Sequence, residues 1–99
     1  MLHIVNKSPF ERNSLASCLR AAAKGGALLL IEDGVYAVVK DSAVEKDLRG
    51  AMAGMPVYAL QADVEARGLA DRVIDGIKLV GYDGFVDLVA EHSNVQSWL

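Results

Sequence analysis

One thiol, two imidazoles and one adjacent pair of carboxylates stand out in this 99-residue chain as groups with the reach to do chemistry. Cys18 is the single cysteine and the only nucleophilic sulfur, since the methionine thioethers carry no ionisable proton. A thiolate can hold a sulfane sulfur and pass it on by exchange between sulfurs, which asks for thiolate fraction and access rather than a triad. On a helical wheel Leu15, Cys18, Leu19 and Ala22 form one stripe, with Cys18 at its edge beside Ser14, Ser17 and Ala21. Two readings fit that position: a small hydrophobe packed on a sheet, or a partly exposed thiol able to carry sulfur. Arg20 and Lys24 point away from it and the helix dipole fades after the first turn, so local activation of the thiolate is weak.

The other groups are less promising. Glu32-Asp33 could be paired carboxylates for acid–base work or for magnesium, or Asp33-Gly34 could simply make a turn. His3 sits inside a strand, where a satisfied structural histidine is the ordinary case, and His92 ends a helix whose last carbonyls it can cap. One cysteine and two distant histidines cannot form a structural zinc site. No serine sits in a nucleophile elbow, and Asn6-Lys7-Ser8-Pro9-Phe10 lacks the glycines of a nucleotide-binding turn. Neither a metal nor another cofactor is expected.

The elements that must position these groups alternate. Leu2–Val5, Ala27–Ile31, Val57–Leu60 and Ile77–Val80 read as short buried strands. Between them, Ser14–Lys24 reads as a helix closed by Gly25-Gly26. Ser42-Ala43-Val44-Glu45 is a capping box opening a helix that carries Val44, Leu48, Ala51, Met52 and Met55 on one face and stops at Gly54 and Pro56. Asp63 to Arg67 is a shorter turn with an i,i+4 ion pair. Phe85, Leu88, Val89 and His92 share a face of a last helix after an Asp83-Gly84 turn. Val35–Val39 suits a strand or a helix equally. Strand–helix alternation predicts one α/β domain over residues 1–99, a mainly parallel sheet with Rossmann-like layering and helices on both faces. Its core should hold Leu28, Leu30, Val57, Leu79, Leu48 and Met52. Sites in such folds gather beyond the strands' carboxyl ends, here Asn6–Phe10, Glu32–Gly34, Gln61–Asp63 and Gly81–Gly84.

Composition narrows the classes of function. Hydrophobic residues at 53% exclude intrinsic disorder, and no apolar run approaches the roughly 20 residues of a membrane-spanning helix. Met1-Leu2-His3 does not open a signal peptide, so a cytoplasmic, reducing location and no membrane association are expected. Ten basic residues are scattered singly among thirteen acidic ones, so direct nucleic-acid binding is not expected. The apolar content is high for so small a body, and Trp98 and Leu99 at the terminus suit an interface, which predicts a subunit rather than a free monomer.

From end to end the chain resembles the DsrH/TusB family, small subunits of the DsrEFH and TusBCD sulfur-relay complexes. The resemblance rests on Leu2-His3 with Asn6-Lys7-Ser8-Pro9-Phe10, on Ile31-Glu32-Asp33-Gly34-Val35-Tyr36-Ala37, and on Val57-Tyr58-Ala59-Leu60 followed by Asp63 and Ala66-Arg67-Gly68-Leu69. Tyr82-Asp83-Gly84-Phe85-Val86-Asp87-Leu88 and Val95-Gln96-Ser97-Trp98-Leu99 complete it. It implies a DsrE-like fold, a heterohexamer with DsrE/TusD-like and DsrF/TusC-like subunits, and persulfide transfer towards a DsrC/TusE-like acceptor. Cys18, within Ser14-Leu15-Ala16-Ser17-Cys18-Leu19, matches the cysteine of the DsrH branch, which many TusB-type members lack. The resemblance therefore implies Cys18 as candidate persulfide carrier and dissimilatory sulfur oxidation as the expected role. The alternatives are a TusB-like subunit for tRNA 2-thiouridine synthesis and a docking subunit without its own chemistry.

Overall fold

A computed structural model describes residues 1–22 and 26–98 of the chain. Five strands form one sheet: β1 (Leu2–Val5), β2 (Ala27–Leu30), β3 (Val57–Leu60), β4 (Lys78–Val80) and β5 (Val95–Trp98). Their order across the sheet is β4-β3-β2-β1-β5 and every neighbouring pair is parallel. The α-helices are α1 (Ser14–Ala21), α2 (Glu45–Met52), α3 (Gln61–Ala66) and α4 (Tyr82–Glu91), with 3-10 helices at Glu32–Val38 and Ala70–Arg72.

The central strands are the unbroken apolar runs, because a parallel strand covered on both faces has no polar side to show. Every residue of β1 and β2 is buried. On one face Val5, Leu28, Leu30, Val57 and Ala59 pack under α1, the first 3-10 helix, α2 and α3 through Leu15, Val35, Val38, Leu48 and Val64. On the other, Leu2, Ile4, Ala27 and Leu29 are covered by α4, through Leu88 and Phe85. The topology explains this asymmetry. From β1 to β4 the chain steps steadily one way, and then the connection through α4 runs back past the whole sheet to reach β5. A crossover of the same hand running the opposite way lands on the opposite face.

Several expectations are corrected. Leu79 pairs with Ala59 and shares its face, yet it is 38% exposed, because β4 is an edge strand reaching past the helices. Met52 is only partly buried, its Cε lying against Gly76, which holds the positive φ of 98° that glycine tolerates. The capping box is not made. Val44 occupies the cap position of α2, the Glu45 carboxylate accepts from the Asp41 backbone N–H, and the buried Ser42 hydroxyl has no partner among the described residues. Asp83-Gly84 is no turn but the first turn of α4, where an acidic residue complements the helix dipole. α1 stops at Ala21, and Lys24 and Gly25 lie outside the described residues, as does Leu99. Of the two readings of Val35–Val39 the helical one is realised as far as Val38, in a 3-10 helix, and Val39 bridges antiparallel to Val73.

Candidate functional site

Cys18 lies on the inner side of α1 and is 0% exposed, packed among the side chains that join α1 to the helix-rich face. The helix is rotated relative to the expected stripe. Ser14, Leu15 and Cys18 are its buried residues, and Leu19 and Ala22 form the flank, so the thiol sits at the centre of the packed face. Burial penalises the charged form and pushes the thiol's pKa up to about 11. At neutral pH the buried thiol is therefore held in its protonated form.

The strand ends hold a closed set of ionic contacts. Glu32 is strained, with a φ of 49° that non-glycine residues seldom adopt, and its backbone N–H donates to Asp63 Oδ2 at 2.7 Å. Arg67, on the residue that ends α3, donates from Nε and Nη2 to Asp33 Oδ1 at 3.1 and 2.8 Å, and from Nη1 to the Asp63 carbonyl at 3.2 Å. Its guanidinium carbon lies 5.9 Å from the centre of the Tyr36 ring. The carboxylate of Asp33, more than that of Asp63, raises the Arg67 pKa above its ordinary value. Read along the chain, Asp63 and Arg67 are a local i,i+4 pair. In space that pair is the long one at 3.8 Å, and both side chains are turned to the end of β2. Asp33 and Asp63 are thus committed to fixing the β2 end against α3. Among the described residues no group of three or more His, Cys, Asp or Glu side chains is arranged to hold a metal ion.

The two histidines act structurally. His3 is buried, and its Nδ1 accepts from the Trp98 indole N–H at 3.1 Å, joining positions 95 residues apart. An indole only donates, so His3 is neutral with its proton on Nε2. Desolvation, and secondarily the nearby N-terminal ammonium, lower its pKa from 6.5. His92 Nδ1 lies 2.8 Å from the Leu88 carbonyl at the end of α4, the capping role read from sequence. The His3–Trp98 pair and the whole of β5 had no local signal beyond an isolated tryptophan at an otherwise polar tail.

Comparison with known proteins follows the same outline. The family model described as "DsrH like protein" matches residues 7–95. A Protein TusB from Pectobacterium carotovorum subsp. carotovorum (strain PC1) is 37% identical over 98 residues, covering 99% of this chain and all of that protein. A Protein TusB from Escherichia coli O81 (strain ED1a) is 39% identical with the same coverage. The crystal structure of the ychN protein from Escherichia coli superimposes with a TM-score of 0.80 at 18% identity, covering 98% of this chain and 97% of that one, a likeness of fold.

Proposed function

The chain belongs to the DsrH/TusB family, and from that premise we propose that it is a TusB-like subunit of a sulfur-relay complex serving 2-thiouridine formation in tRNA. In this reading it docks and orders its partners and carries no sulfur itself. The observation that carries the proposal is the full burial of its one thiol. A carrier must present a thiolate to a donor and then to an acceptor, and the burial of Cys18 between α1 and the sheet beneath it supports a role other than carrier. Cys18 is also the residue that favours the dissimilatory branch, and its burial weakens that branch. The full-length likeness to TusB proteins supports the thiolation branch. The expected partners are DsrE/TusD-like and DsrF/TusC-like subunits, with a DsrC/TusE-like protein receiving sulfur from them.

Deleting the gene in its host and quantifying tRNA 2-thiouridine by mass spectrometry tests this. Loss of the modification, restored in full by wild type and by Cys18→Ala, is the expected result. Unchanged 2-thiouridine in the deletion overturns the thiolation role. Failure of Cys18→Ala to restore it, with the complex still assembled, overturns the docking role and returns Cys18 to the relay.

A further inference from the structure

The last strand is held to the sheet by little besides its backbone. β5 pairs with β1 from Val95 opposite Leu2 to Trp98 opposite Val5, and the Leu2 N–H donates to the Asn94 carbonyl at 2.9 Å where the chain enters the strand. Val95, Gln96 and Ser97 are exposed, and only Trp98 packs against the helix-rich core. An edge strand with so little burial belongs to the low-stability end of a fold, where local opening precedes global unfolding. Among the described residues one side-chain hydrogen bond joins it to its neighbour. The Trp98 indole N–H donates to His3 Nδ1 at 3.1 Å, with the ring centres 6.1 Å apart.

That bond exists for one protonation state only. An imidazolium carries a proton on both nitrogens, so its Nδ1–H would face the indole N–H, donor against donor. The cation would also be buried without a counter-charge. His3 shares its face of the sheet with Leu28 of β2 and with Gln96 and Trp98 of β5, and neither strand has an ionisable side chain. Above it α1 offers the neutral Cys18 thiol and Arg20, which is turned outward and donates to Ser17 Oγ. In the 3-10 helix past the far end of β2, Asp33 and Tyr36 are engaged by Arg67, and Glu32 is exposed. The ionisable groups of α4 and its cap, from Tyr82 to His92, belong to the opposite face. Among the described residues the charge that acts on His3 is the N-terminal ammonium, of the same sign as the imidazolium.

We propose that the His3–Trp98 bond is a proton-sensitive latch: protonation of His3 frees Trp98 and lifts β5 off β1, while the other four strands and the helices stay folded. Water reaches the imidazolium through the gap that β5 leaves, because the other edge of β1 is closed by β2, every residue of which is buried. The released state uncovers the hydrogen-bonding edge of a central strand. Desolvation lowers the His3 pKa from 6.5 in the closed state, so the open state binds the proton more tightly and gains population as pH falls below 6.5. This goes beyond the sulfur-relay reading and does not depend on Cys18.

Amide hydrogen exchange of the purified chain from about pH 7.5 to about pH 5, corrected for the intrinsic rate at each pH, is the test. Below pH 6.5 the β5 amides, and those of β1 paired to them, should exchange faster by up to about tenfold per pH unit, the limit for one linked proton. The β2 and β3 amides should stay protected. Trp98 is the single tryptophan, so its emission should shift to the red over the same range. His3→Asn keeps an acceptor and cannot be protonated, and should make β5 exchange independent of pH. Trp98→Phe removes the bond itself, and its β5 amides should exchange about fivefold faster than wild type already at about pH 7.5. Wild-type β5 exchange that does not change with pH overturns the proposal, as does an unaltered pH response in His3→Asn. So does a Trp98→Phe that exchanges like wild type, or β2 amides that open together with β5, which would mean global unfolding rather than a latch.

Discussion

The two faces of the sheet are built to different standards. One is roofed by α1, α2, α3 and a 3-10 helix, and its core joins residues from β1 to Ile74. The other has α4 alone over Leu2, Ile4, Ala27 and Leu29. Both faces bury their central side chains, so the difference lies outside them. On the thin face the covering helix turns three apolar side chains and an acidic row to the solvent. The helix-rich face holds the fold, and α4 divides its surface between holding the sheet and facing outward. Cys18 falls on the first side of that division, buried in its core.

The largest test of this contrast is truncation within each roof. Leu28→Ala, beneath the helix-rich face, should lower unfolding free energy by about 4 kcal/mol, and Leu88→Ala, from α4, by about 2 kcal/mol, both read by urea denaturation. Equal losses would make α4 as firm a cover as its opposite. Two glycines sharpen the comparison next. A methyl group at Gly34 would strike the Val5 carbonyl, so Gly34→Ala should destabilise by about 2–3 kcal/mol. Gly50→Ala, with open space above it, should stabilise by about 1 kcal/mol.

Smaller still is the tie between the edge strand and the centre. Trp98→Phe removes the indole donor to His3 and should cost about 1 kcal/mol. Because the folded state lowers the His3 pKa, the unfolded chain binds the proton more tightly. The stability contributed by neutral His3 is complete above pH 6.5 and is lost as pH falls below 6.5 towards the folded value. His3→Asn should flatten that part of the stability–pH curve, measured by denaturation at a series of pH values. The smallest effect belongs to the outer side of α4. Val86→Ser should change stability by less than about 0.5 kcal/mol, since Val86 contributes little to the fold.

Where the sequence was legible, the physics was local. β1, β2 and β3 announce themselves because strands covered on both faces need uninterrupted apolar residues. β5 is invisible by the same logic. Val95-Gln96-Ser97-Trp98 lies at an open edge, and it is held by pairing with β1 and by an indole reaching a histidine near the other end of the chain. Leu79 has the right face but the wrong place, an edge beyond the helices. At the strand ends, Asp63 and Arg67 showed their spacing but not their partners, which the topology supplies from 31 and 34 residues away. Cys18 was legible as a helix residue near an apolar stripe. Its depth was not, because a rotation of α1 by a fraction of a turn separates an edge position from a central one.

The most direct test of the account is the mass of each subunit after the assembled relay complex is loaded with sulfane sulfur from polysulfide or a charged donor. The account predicts an added sulfur on a partner subunit and none on this chain, with Cys18 modified by alkylating reagents only after denaturation. An added sulfur on native, assembled chain that disappears in Cys18→Ser would contradict it.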